Sequence, residues 1–247
     1  MSIILIRTHI ITLLFTVIHL SVYSQENENY SDEFLSESFK VYNAADFEMA
    51  YHITPFLRER FISELRDSSS FYNPFDSLSR YVRIKYSSDS LVKTYSWDER
   101  NGSCCHTSAT FAQFKTESGE INFVDLEKPE HNGIEIFIFD MQKIEFKDSS
   151  FYMILGWGTC CGGKFYEIAR IYKIQGNDFV QIEKAFGNEK DLYIGANRGQ
   201  ETDLKYDPES KELTYNFYEM DEDSGFYKRE ITQRKWVLKK EGFKLVK

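Results

Sequence analysis

The sequence predicts a mainly β protein: an antiparallel meander of about ten to twelve short strands, arranged as a sandwich, a barrel or a small propeller, with an N-terminal helical segment. Three observations predict it. From Tyr81 onward, apolar residues recur with period two, in runs separated by turn residues at near-regular intervals. Phe and Tyr, with 21 and 16 copies, dominate while proline has only four, and aromatic side chains suit a half-buried pleated surface. Convincing helical spacing is confined to residues 44–67.

The chain has 247 residues and opens with Met1–Arg7, which carries one positive side chain. Mostly apolar Ile10–Leu20 follows, then Val22-Tyr23-Ser24 before Gln25. That is the layout of a secretory signal peptide cleaved at Ser24/Gln25. The apolar run is nearer half the roughly 20 residues that a spanning helix needs. No later stretch approaches that length, so no membrane span is expected after cleavage. The expected location is extracytoplasmic, either periplasmic or secreted. The remaining chain, about 220 residues, suits one all-β domain or two small ones. It can bury a core without depending on disulfides. The expected organisation is a signal peptide over 1–24, a disordered acidic leader over 25–42, a helical segment over 43–70 and an antiparallel β domain over 71–247.

Gln25–Glu33 is acidic and polar, with little to bury, and reads as disordered. Asn43 can cap a first helical piece reaching about His52. Thr54-Pro55 then offers an N-cap and a helix-compatible first proline for a second piece. In that piece Phe56, Leu57, Phe61, Ile62 and Leu65 share a face. Strands follow at Tyr81–Tyr86, Leu91–Trp97, Thr107–Lys115 and Ile121–Leu126. Lys128–Gly133 is a loop. Ile134–Phe139 is apolar on both faces and Phe151–Leu155 is a continuous apolar run, so both read as central strands. Phe165–Ile174 and Phe179–Ile182 flank Gln175–Asp178 as a hairpin. Short strands at Leu192–Ile194, Leu204–Tyr206 and Leu213–Tyr218 lead to Phe226–Lys239 and Phe243–Val246, which close the chain.

The four cysteines form two adjacent pairs, Cys104-Cys105 and Cys160-Cys161, each in a Gly-containing stretch after a tryptophan. Exported thiols meet oxidising surroundings and usually become disulfides. A vicinal bridge makes a small strained ring, because normal bridges need Cα atoms farther apart than the 3.8 Å or so of a trans peptide. The two remaining pairings both tie the first loop to the second. One such bridge closes about 56 residues and contributes roughly 4 kcal/mol in the chain-entropy model. The alternatives are thiolate metal binding, with His106 nearby, and redox exchange. Zinc prefers ligands two to four residues apart, and the redox Cys-x-x-Cys motif is missing.

Formal charge is −9, and removing the signal takes away Arg7 and no carboxylate. Such a chain repels nucleic acid and anionic membranes, so no nucleic-acid partner is expected. There is no Gly-x-Ser-x-Gly, no phosphate-binding glycine loop and no His-Glu-x-x-His. No catalytic residue and no cofactor are therefore assigned. Asp221–Gly225 lacks the glycine and glutamate of a calcium loop and reads as an acidic turn. The richest surface is the rim beside the cysteine loops, where Trp97, His106, Trp157 and Lys164 are the candidate contacts for a protein, peptide or carbohydrate ligand. The competing reading for Trp97 and Trp157 is that they plug the core at strand ends.

Phe151–Gly158 followed by Glu167–Ile174, together with the closing Lys235–Phe243, resembles segments of β-rich exported bacterial proteins that carry no assigned function. The resemblance implies a secreted or periplasmic bacterial β-protein and no catalytic residue. The expected function is a non-enzymatic binding or interaction module with disulfide-stapled loops. The alternatives are a hydrolase acting on carbohydrate or peptide with acidic side chains, and a thiolate metal-binding protein.

Overall fold

A computed structural model describes residues 30–100, 106–127, 135–160 and 162–246. The expected signal peptide, the loop over 128–133, Cys104, Cys105 and Cys161 lie outside the described residues, as does the side chain of Cys160.

The protein is mainly β, as the period-two runs require. Among the described residues thirteen strands form three antiparallel sheets, preceded by two helices. The first sheet is β1 (Arg83–Tyr86), β2 (Val92–Asp98), β3 (Ser108–Lys115) and β4 (Ile121–Asp125), in that order. The central sheet is β5 (Phe137–Phe146), β6 (Ser149–Cys160), β7 (Lys164–Gln175) and β8 (Asp178–Gln181), with β9 (Asp191–Asn197) also on β7. The third sheet is β10 (Lys205–Asp207), β11 (Glu212–Phe217), β12 (Thr232–Lys239) and β13 (Gly242–Val246). The sheets do not close into a barrel.

Side-chain alternation stacks these sheets face to face. On β2, Lys93, Tyr95 and Trp97 face the helices, and Tyr95 and Trp97 pack with Phe61, Leu65 and Phe111. On the opposite face Val92 joins Ala112, Ile138 and Ile154 between the first and central sheets. On β6, Tyr152 and Ile154 fill that same layer, while Phe151, Met153 and Leu155 pack against Leu213, Leu238 and Phe243 of the third sheet. A strand buried on both faces has no polar side, which accounts for the unbroken apolar run at Phe151–Leu155.

The expected leader differs. Residues 30–44 are a helix, α1, that buries Leu35, Phe39 and Tyr42. Their spacing places them on one helical stripe, which the surrounding acids obscure in the sequence. One of those acids is structural, because the Asp32 carboxylate accepts the backbone N–H groups of Ser77 and Leu78 at 2.9 and 2.8 Å.

The second helix, α2, runs unbroken over Phe47–Arg66, capped by Asp46, whose carboxylate accepts the Met49 N–H. Thr54 is therefore interior and caps nothing. Its hydroxyl lies 2.9 Å from the carbonyls of both Ala50 and Glu99. An interior proline costs about 3 kcal/mol. Burial of Leu57, Phe61 and Leu65, each contributing about 1.5–3 kcal/mol, outweighs it and carries the helix through Pro55.

The expected strand over Phe226–Lys239 starts only at Thr232. Residues before it form a separate excursion, joined by a bridge between Met220 and Tyr227. There Asp221 is an acidic turn, accepting the N–H groups of Asp223 and Ser224, and its hydrogen bonds to Ser224 hold its carboxyl below the usual range. The Tyr227 ring lies over Gly195 of β9, where a Cβ would collide with it.

Candidate functional site where the first and central sheets meet

β2 ends at Asp98 and β3 begins at Ser108. Between them, Glu99 and Thr107 still pair, with the Glu99 N–H donating to the Thr107 carbonyl at 2.9 Å. Arg100 anchors the base of the intervening loop to the end of α1. Its guanidinium donates to the carbonyls of Tyr42 at 2.7 Å and Ala45 at 2.9 Å. On the other side the backbone N–H of His106 donates to Thr159 Oγ1 near the end of β6, at 2.8 Å. That bond crosses from the first sheet to the central one. The His106 ring, 54% exposed, places Nδ1 2.9 Å from Asp98 Oδ2.

Behind this edge lies an ionic cluster. Arg58 of α2 reaches Glu99 Oε1 at 2.5 Å and Asp125 Oδ2 at 2.6 Å, and stands 4.0 Å from Glu127 Oε2. Its guanidinium also lies over the Phe111 ring, 4.9 Å from the centroid. Glu127 Oε1 accepts hydroxyl hydrogen bonds from Ser108 and Thr110 of β3. Burial pushes the Glu127 carboxyl up to about 8, and the neighbouring Glu99 charge adds to the effect. One guanidinium is shared by three carboxylates, so the most buried of them keeps its proton near neutrality. Glu135, just before β5, is also raised by burial.

Gly158 of β6 is required by a close approach. A Cβ there would meet the Tyr166 ring and hydroxyl. That hydroxyl donates to the Glu135 carbonyl at 2.5 Å and so holds the start of β5. This glycine makes room for a ring.

The four predicted rim residues separate. Trp97 is 4% exposed, and its ring lies among Phe39, Phe61 and Phe111 at centroid distances of 5.3, 4.8 and 5.6 Å. It is a core residue and offers no face to a ligand, because its position on β2 points it at the helices. Trp157 is half-buried, stacked on Phe137 at 4.7 Å with the Arg83 guanidinium 5.9 Å from its centroid. Lys164 lies opposite Cys160 in the β6–β7 register, but its Nζ turns to the Phe226 ring at 5.5 Å. Only His106 is placed beside the loop contact and open to solvent.

Arg58, Asp125, Glu127 and Glu135 are absent from the expected site. A signal for them exists. Glu99, Asp125 and Glu127 each sit at or just beyond the end of a strand, and Arg58 immediately follows Leu57 on the helix face that Phe61 continues. Among the described residues no group of three or more His, Cys, Asp or Glu side chains is placed to hold a metal ion.

A second buried charge lies elsewhere on β2. Lys93 is fully buried, and its Nζ donates to the carbonyls of Asn73 at 2.5 Å and Ser70 at 3.3 Å. The rings of Phe75, Tyr86 and Tyr95 surround it at 4.5, 5.2 and 5.2 Å. Burial lowers its pKa to about 7.

No protein-family model, curated protein or solved structure matches this chain.

Proposed function

We propose that this protein is an exported, non-enzymatic binding module in which a layered stack of sheets presents the joined loops around His106 and Thr159 to a protein, peptide or carbohydrate partner. One observation carries this reading. The His106 N–H donates to Thr159 Oγ1, and these residues directly adjoin Cys105 and Cys160 in sequence. The contact supports disulfide pairing from loop to loop, which would hold the rim rigid and lower the cost of ordering it on binding. The export itself rests on the N-terminal sequence. The charged groups behind the rim are engaged internally: Arg58 pairs with Glu99 and Asp125, and two hydroxyls hold Glu127.

The test is to present the protein to arrays of glycans and of cationic peptides, with His106→Ala, Trp157→Ala and the remote Lys205→Ala variants alongside. Binding that His106→Ala abolishes and Lys205→Ala preserves supports the reading. Turnover of an array compound overturns it. Counting reactive thiols with and without reductant tests the staple, and four reactive thiols in the folded, exported protein rule it out.

A second reading, hydrolysis of a carbohydrate or peptide, draws on the raised pKa of Glu127, the property of a general acid near neutral pH. Loss of turnover in Glu127→Gln with the fold intact would favour it.

A further inference from the structure

The chain is acidic, at −9, yet four lysines line one groove of 560 Å³ at the far end of the central and third sheets. Three hairpin turns build the groove. The β5–β6 turn supplies Lys147, the β10–β11 turn supplies Lys211, and β12 runs through Lys239 into Lys240 at its turn. The turns are stitched together by backbone. The Lys147 N–H donates to the Lys240 carbonyl at 3.1 Å, and the Leu238 N–H donates to the Lys211 carbonyl at 2.9 Å. Phe146 and Leu238 give the groove a buried apolar floor, while the four lysines stand exposed above it.

Two further features describe these lysines. Among the described residues none of them forms an ion pair. Of the neighbouring acids, Glu145 is engaged by Lys143 at 3.1 Å and Glu241 by Lys244 at 3.5 Å, leaving Asp148 as the lining counter-charge. Lys147 and Lys211 also have φ of 50° and 58°. That left-handed region strains a side chain with a Cβ and favours glycine, asparagine or aspartate. The β7–β8 turn of the same protein puts Gly176 in that conformation, at φ +60°. In the β5–β6 turn Asp148 shares it, at φ 54°, as a two-residue hairpin imposes on both central positions, so the turn geometry itself gives no reason for lysine there.

We propose that this groove binds a small organic oxyanion, a phosphate or sulfate ester. An ammonium group is a compact charge with three donors on a flexible stem, suited to a tetrahedral oxyanion approached from several sides. The groove is within the roughly 300–1,000 Å³ of small-ligand sites, and its apolar floor takes a carbon skeleton. A long polyanion running beyond the groove meets an acidic surface, which favours a small anion over a nucleic acid. The site is separate from the His106 rim and does not rest on the reading given for it.

Titration calorimetry on the purified protein with phenyl phosphate and with phenyl sulfate, which share one carbon skeleton, at low and high salt, tests the proposal. Saturable, salt-sensitive binding of at least one probe is expected, and which of the two binds more tightly distinguishes phosphate from sulfate chemistry. The double variant Lys147→Gly/Lys211→Gly should weaken it at least about tenfold while melting at a higher temperature, because glycine relieves the turns. Lys239→Gln/Lys240→Gln, at positions outside the left-handed region, should weaken it without that gain. Lys228→Gln, elsewhere and paired with Glu219, should leave it unchanged. Absence of saturable binding by both probes overturns the proposal. So does unchanged affinity in both double variants, or tighter binding to a single-stranded oligonucleotide or to anionic vesicles than to either probe.

Discussion

The backbone N–H of His106 donates to Thr159 Oγ1 at 2.8 Å, across 53 residues of chain. This hydrogen bond fastens the loop after β2 to the end of β6, and it uses a side chain that sequence patterning alone leaves unassigned. Thr159→Val keeps the shape and removes the acceptor. The expected cost is about 0.5–1.5 kcal/mol, measured by urea denaturation. Limited proteolysis should then cut between β2 and β3 faster than in the parent.

Arg58 lies within salt-bridge distance of both Glu99 and Asp125. Arg58→Met should cost about 3–5 kcal/mol at neutral pH, because it removes the guanidinium from the largely buried Asp125 carboxylate. Chemical denaturation of the variant beside the parent at pH 7 measures it.

Glu127 titrates at about 8 in the folded protein, raised by burial from 4.5. Between those values the folded state holds a proton that the unfolded state has released. The stability that proton confers is full below pH 4.5 and is lost as pH rises through 8. Glu127→Gln cannot ionise. Its unfolding free energy should match the parent near pH 4 and exceed it by a few kcal/mol at pH 9.

Lys93 gives the opposite slope. Its folded pKa is lowered by burial to about 7 from 10.5, so between those values the unfolded state binds the extra proton. Stability should therefore rise with pH from 7 towards 10. Lys93→Met should flatten that rise, as read from melting temperatures at pH 6.5 and 9.

Trp97 and Trp157 should respond differently to truncation. Trp97→Ala empties a site among three aromatic rings and should cost about 3–5 kcal/mol. Trp157→Ala should cost distinctly less, because that ring is only half-buried. Equal losses by thermal unfolding would contradict the placement of the two rings.

Much of the fold is legible along the chain. The Phe179 hairpin and the Leu213 strand fall where period-two alternation and turn residues put them. The double-sided burial of Phe151–Leu155 follows from an apolar run too short for a helix. Helix α1 is not legible, because Leu35, Phe39 and Tyr42 are spread among acids and gain their burial only against α2 and the first sheet. The candidate site is legible only in part. His106 stands out as a polar residue beside a cysteine loop, whereas Arg58 and its carboxylates are separated by 41 and 67 residues.

By itself the sequence determined the β class, the hairpin order and the acidic balance, because pleat alternation, turn chemistry and net charge are local or additive properties. Only the tertiary structure decided that Trp97 is core, that His106 meets Thr159, that Glu127 keeps a proton and that four lysines share one groove. Those outcomes depend on which faces stack on which. Stacking sets burial and the distance between charges, and neither can be read from one stretch of chain.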